Sequence, residues 1–177
     1  MIPKPARPPP RWWVHRISSR WIWFWRPWRV RWLRRHRVEE IEIRGLSGVR
    51  RVLGQPLLLT PNHPGSADPG VMYHVADQLG CPFFFMAAWE LFGRSNFVVR
   101  RALQNHGVFS VDRDGVDLRA FRQAVKILAV GRYPLVIFPE GEVYHVNDRV
   151  TPFDYGLCLV AVSASRRIGV FVSVVPC

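Results

Sequence analysis

Acidic residues are absent from the first 37 positions of this sequence, which carry 11 of its 25 basic residues and seven of its eight tryptophans. Residues 38–177 hold 14 basic and 13 acidic residues, so the net charge of +12 belongs to one end of the chain. Overall basicity therefore does not argue for a nucleic-acid-binding domain. Lysine is nearly missing as well, at Lys4 and Lys126 only. Cysteine is scarce: Cys81, Cys158 and Cys177 form an odd set with no paired spacing and no adjoining His cluster. That excludes a disulfide framework and a zinc knuckle, and it reads as a reducing compartment. No apolar stretch approaches the roughly 20 residues that a spanning helix needs, and the uncharged runs 81–89 and 169–177 are far shorter. Nor does an apolar leader follow Met1, where Pro3, Pro5, Pro8, Pro9 and Pro10 stand instead. The expectation is a chain without a signal peptide that does not cross a membrane. No internal repeat is visible.

What is present reads as one globular domain, 49% hydrophobic and 21% charged, with a distinctive arm. The expected division is a Pro-rich lead and basic arm over 1–37, the lead disordered, and a nearly neutral domain over 38–177. In the arm, Trp13, Ile17, Trp21, Trp25, Trp28 and Trp32 recur at spacings of three and four, with Val14 and Phe24 falling on the same stripe. This spacing predicts helix over 12–36 with one apolar face. Arg11, Arg26, Arg29 and Arg37 fall on the far side, and Pro27 predicts two short helices with a kink. Indole rings opposite guanidinium groups suit a membrane interface, so membrane lipids are the expected partner of residues 12–36. Packing of the stripe on its own domain is the other reading. A nucleic-acid arm is disfavoured, because the stripe holds neither lysine nor polar residues.

Beyond residue 38 the pattern changes. Alternation over Val38–Ile43 predicts a half-exposed strand, and short buried strands are predicted at Pro56–Thr60, Pro82–Met86, Gly107–Val111, Leu135–Phe138 and Gly169–Val175. Helices are predicted from Asp68 to the Gly80 stop, over Ala87–Asn105, from Leu118 to Gly131 and over Tyr155–Arg166. The fold class is α/β, with a mixed, largely parallel sheet flanked by helices and preceded by the amphipathic arm. The chain stops directly after its last strand, which suggests a missing or unusually short C-terminal piece.

In such a sheet, function gathers on loops at the carboxyl ends of strands, and three of those loops carry unusual residues. The first is Asn62-His63-Pro64-Gly65-Ser66-Ala67-Asp68. Here a carboxylate can hold one imidazole nitrogen and leave the other as a general base. Alternatively, Asp68 before Pro69 is an ordinary helix N-cap. The second loop places Arg113 beside Asp112 and Asp114, either as an anion clamp or as a solvated side chain. In the third, Phe138-Pro139-Glu140-Gly141, the acid either bonds substrate hydroxyls or is a solvated turn residue.

Taken in order and spacing, the Asn-His-x-x-x-x-Asp block, the Gly-x-x-x-x-x-Arg block ending at Arg113 and Phe-Pro-Glu-Gly resemble three motifs of the glycerolipid acyltransferases, the family of lysophosphatidic acid acyltransferase. Pro152-Phe153, Gly156 and Ala161 resemble the stretch that follows, and Val174-Val175-Pro176 the fourth motif. The resemblance runs from about residue 38 to the end. It implies transfer of a fatty acyl group from acyl-CoA or acyl carrier protein, as co-substrate, to the hydroxyl of a lysophospholipid or glycerol-phosphate-type acceptor. His63 would be the general base, oriented by Asp68, with the substrate's own oxygen as nucleophile. Asn62, Arg113, Glu140 and Gly141 would bind substrate, with Arg113 on the acceptor's phosphate. No metal or resident cofactor is implied. Location is expected to be peripheral, on the cytoplasmic face of a membrane. One departure concerns the acceptor: Glu142 and Val143 stand where the family commonly has Thr or Ser and a basic residue, and Arg149 is the nearest candidate to compensate. This counts against lysophosphatidate and towards another lysolipid or alcohol. The alternative is a non-catalytic, membrane-binding homologue of the same fold.

Overall fold

A computed structural model describes residues 11–143 and 152–177; the Pro-rich lead and Arg149 lie outside them. The buried runs predicted as strands assemble into one sheet: β1 (Leu57–Thr60), β2 (Phe84–Ala88), β3 (Val108–Val111), β4 (Leu135–Val136) and β5 (Ser173–Pro176). Their order is β3-β2-β4-β1-β5, and every pairing is parallel. The architecture is α/β, as the alternation of apolar runs and amphipathic segments requires.

Side chains alternate across the sheet, and each face recruits its own helices. Leu57, Leu59, Phe83, Phe85, Val108 and Val136 point one way, against Met72 and Ala76 of α4 (Asp68–Leu79). Leu58, Phe84, Phe109 and Leu135 point the other way, against α7 (Leu118–Val130) and α8 (Gly156–Ile168). Alanines at 120, 124 and 164 are buried in this half of the core, small side chains that suit close approach of the helices. The predicted helix stops at Gly80 and Gly131 are left-handed C-caps, with φ of 64° and 63°.

Several sequence expectations are corrected. Val38–Ile43 forms no strand. Val38, Ile41 and Ile43 are half-buried and Glu39, Glu40 and Glu42 exposed, so the alternation reports one-sided burial of an extended segment without a ladder partner. A short helix, α3 (Leu46–Arg51), follows it unannounced by any periodicity. The single helix expected over Ala87–Asn105 is two, α5 (Trp89–Gly93) and α6 (Phe97–Asn105), because strand β2 runs on to Ala88 and Asn96 caps a fresh start by accepting from the Val99 amide at 2.9 Å. The last strand begins only at Ser173, and β4 ends at Val136 rather than Phe138.

The arm departs most from its prediction. Residues 11–18 are extended, not helical, and run beside edge strand β3. Ser110 donates its amide to the Trp13 carbonyl at 2.9 Å, and the Trp13 amide donates to Ser110 Oγ at 2.8 Å. Trp12 meets Phe109 on one face of the sheet, while Trp13 stacks on Phe92 on the other, at 5.4 Å between centroids. The segment therefore straddles and covers an edge that would otherwise expose unpaired backbone groups. Helices α1 (Ser19–Phe24) and α2 (Arg26–Arg35) follow, broken at Trp25 just before Pro27, where a kink was predicted. Their anchors are Ile22 and Leu33, both buried and neither on the predicted stripe. Helix α2 lies against α4 at Gly70, where a Cβ would come within 2.6 Å of the Trp32 ring and 2.9 Å of Leu33. Phe24, Trp28 and Trp32 remain exposed.

Two histidines sit in this packing. Burial pulls His15 and His106 below the ordinary value of 6.5, and His106 Nδ1 lies 3.2 Å from the Trp21 indole nitrogen and 2.8 Å from the Ala102 carbonyl. A depressed histidine pKa means that, as pH falls through 6.5, the unfolded chain binds protons that the folded chain refuses. Stability should therefore fall on acidification from about pH 7.5 to 5. Melting temperature followed by circular dichroism tests this, and His106→Gln should flatten the slope. An equally steep slope in that variant would remove His106 from the account.

Candidate active site

Strands β1 and β4 are neighbours, but the chain leaves them towards opposite faces, through α4 from β1 and through α8 from β4. A crevice opens at such a switch point, between the loops that follow the two strands. His63 is in the loop after β1, and Phe138 to Glu142 form the loop after β4. Asp112 to Asp117 follow β3.

The first and third loops are tied together at His63. Its amide donates to Glu140 Oε1 at 2.8 Å, and its ring lies on Phe138 with centroids 4.1 Å apart and an interplanar angle of 24°. Nδ1 of the same ring is 2.9 Å from Asp68 Oδ2, which also accepts from the Gly65 amide at 2.8 Å. The N-cap of α4 is Ala67, without a side-chain capping bond, and Asp68 is already the first helical residue. Its carboxylate therefore turns back to the loop, onto the His63 ring and the Gly65 amide, instead of capping the helix. The tautomer with its proton on Nδ1 donates to this carboxylate and leaves the Nε2 lone pair free. Two contacts and a stacked ring fix the imidazole, so little reorganisation is needed for it to accept a proton.

His63 lines a cavity of about 1040 Å³ that extends over the carboxyl ends of β2 and β3. Its walls are mainly apolar, with Met86, Ala87, Leu91, Val111, Phe121 and Leu157 among them. Arg113, Gly141, Glu142 and Asp154 stand at the same cavity. Arg113 Nη1 donates to the Gly141 carbonyl and lies 4.0 Å from Glu142 Oε1. A guanidinium has five donors, so this engagement leaves others for a ligand.

The sequence-predicted residues thus divide. His63, Arg113 and Gly141 line one cavity, and Asp68 reaches it through His63. Glu140 is buried, is not part of the cavity wall, and holds the His63 backbone. Asn62 is exposed and does not line the cavity.

Sequence reasoning gave no role to two residues. Phe138, the platform under the imidazole, stands in the Phe-Pro-Glu-Gly motif, where only the acid and the glycine were read as functional. Tyr73, in the cavity wall, donates its hydroxyl to the His106 carbonyl at 2.9 Å, and burial pushes that hydroxyl far above the usual range. It is a neutral donor and is excluded as a base. No signal marked it, since one tyrosine on an apolar helix face reads as core. Burial likewise raises the Cys81 thiol, and neither Cys81 nor the exposed Cys158 and Cys177 lines the cavity. No group of three or more His, Cys, Asp or Glu able to hold a metal occurs among the described residues.

The fold and site together define an α/β protein with a histidine–carboxylate dyad at the switch point of a parallel sheet, opening on a large apolar cavity. The family model described as Acyltransferase matches residues 40–177, and the chain belongs to that family. Its reaction is therefore acyl transfer. No curated protein matches the chain.

Proposed function

We propose that this acyltransferase moves a fatty acyl group from acyl-CoA or acyl carrier protein to the hydroxyl of a lysophospholipid or glycerol-phosphate-type acceptor. The observation that carries this reading is the 2.9 Å contact between His63 Nδ1 and Asp68 at the wall of an apolar cavity. His63 Nε2 takes the hydroxyl proton as the acceptor oxygen attacks the thioester carbonyl, and Asp68 stabilises the imidazolium. Collapse of the tetrahedral intermediate breaks the carbon–sulfur bond, and the departing sulfur takes the proton from His63. The products are an ester and a free thiol, and no acyl-enzyme forms. That suits a cavity wall that offers no cysteine to an acyl group.

Glu140 acts through the His63 backbone, and Arg113 and Gly141 form the acceptor end of the cavity. Attachment to the cytoplasmic face of a membrane is part of the proposal, since both lipids are held in a bilayer. No helix among the described residues is long and apolar enough to cross one. The exposed Phe24, Trp28 and Trp32, with Arg31, Arg34 and Arg35 beside them, support lipid contact by the arm.

Thiol release from a long-chain acyl-CoA or acyl carrier protein, measured with a panel of lysolipids, tests the reaction. Release that requires an acceptor supports it. Folded protein inactive with both donors and every acceptor would favour the non-catalytic, membrane-binding homologue. Glu142 bears on the acceptor, because its carboxylate competes with any phosphate for Arg113. Both groups are substantially exposed, so Glu142→Lys should raise turnover of lysophosphatidate relative to monoacylglycerol only about two- to fivefold. An unchanged ratio would remove Glu142 from acceptor selection.

A further inference from the structure

From Leu91 to Val111 the chain carries no acid, while Arg94, Arg100 and Arg101 give it three positive charges. Within that stretch the start of α6 presents Phe97, Val98 and Val99 to solvent, 75%, 70% and 44% exposed. Asn96 fixes the helix start by capping it, so these three large apolar side chains are held at a rigid tip. Three consecutive residues span more than half the circumference of a helix, which is more than packing on one neighbour covers. In the preceding helix, α5, Leu91 is 47% exposed and lines the active-site cavity. Helix α5 follows β2 without a linker, so this corner lies at the carboxyl end of the sheet, as the dyad does. An apolar tip with Arg94, Arg100 and Arg101 close by in sequence, on a corner that shares Leu91 with the apolar cavity, matches an anionic bilayer surface in both chemistry and charge.

We infer that the α5–α6 corner is a second lipid-contacting surface, separate from the arm, which inserts Phe97 and Val98 into an anionic leaflet and sets the cavity mouth against it. Substrate chains then pass from bilayer to cavity along Leu91 without crossing water. The purpose of the surface rests on the acyl-transfer reading; its existence does not.

The test uses the full chain and extruded phosphatidylcholine vesicles, with and without phosphatidylglycerol. Co-sedimentation is compared for wild type, for Phe97→Ser with Val98→Ser, and for Phe24→Ser with Trp28→Ser. The α6 variant should lose roughly tenfold in affinity for the anionic vesicles. It should lose turnover of bilayer-embedded acceptor in proportion and keep wild-type turnover of a short-chain, freely soluble donor and acceptor. Both side chains are exposed, so their replacement leaves the core intact, and an unchanged melting temperature verifies this. Unchanged vesicle affinity overturns the inference, as does a wild type that ignores the vesicles or binding lost only in the arm variant. Failure of the wild type on the soluble pair would instead count against acyl transfer, while the sedimentation result would still decide the surface.

Discussion

His63→Ala should lower acceptor-dependent thiol release by about 10²- to 10⁴-fold, the usual contribution of a positioned general base. The substitution removes the only imidazole at the cavity wall among the described residues and leaves the acceptor end untouched. Folding should survive, because the ring sits at the cavity wall on Phe138 rather than in either half of the core. Asp68→Asn should fall between wild type and His63→Ala. An amide can still accept from the Gly65 amide, but it does not offset the imidazolium charge that forms as the proton is taken. Asp68→Asn should therefore lower kcat with little change in KM, as expected when an interaction is strongest in the transition state. Turnover in His63→Ala above about a tenth of wild type would be incompatible with a general base, whose removal costs at least tenfold more.

How far the sequence discloses this arrangement depends on the kind of signal. The strands after residue 56 are legible because parallel strands are buried on both faces and read as short apolar runs between turn residues. The site loops are legible because polar residues gather where those runs end. The motif resemblance then binds distant loops into one site, as a single spacing cannot. Other features leave no local mark. The Val38–Ile43 alternation is real, but only tertiary context supplies or withholds a partner strand. Tryptophans at helical spacing produced a stripe, yet Trp12 and Trp13 serve opposite faces of a sheet edge, as neighbours do on an extended chain. Periodicity cannot separate these cases when the residues at issue number fewer than two helical turns. Glu140 is instructive in another way: its place in a turn left a substrate contact and a solvated side chain equally open, and the structure buries it with one carboxylate oxygen on a backbone amide 77 residues away in sequence.

Asp77→Ala should be the most destabilising of the substitutions considered. The Asp77 side chain is 2% exposed, 2.7 Å from Arg29 Nη2 and 3.5 Å from Arg26 Nε. Burial pushes its carboxyl pKa up more than the two arginines pull it down, a sign of how strongly the site disfavours charge. Arg29 also donates to the Ile22 carbonyl of α1 and lies over the Tyr73 ring of α4 at 5.4 Å. One carboxylate thus joins both arm helices to the helix that begins at Asp68. Its removal leaves a largely buried guanidinium without its counter-charge, at a cost of about 3–5 kcal/mol. For a chain of this size that is a fall in melting temperature of roughly 10 °C. Replacing both partners, as Asp77→Leu with Arg29→Leu, should cost less than Asp77→Ala alone, because no buried charge is then stranded. If instead Asp77→Ala leaves the melting temperature unchanged while proteolysis frees residues 11–37, the arm is a detachable tether. If melting falls as expected and the double variant recovers part of the loss, the arm folds with the sheet. Any lipid surface that moves α2 would then act directly on the helix that carries Asp68.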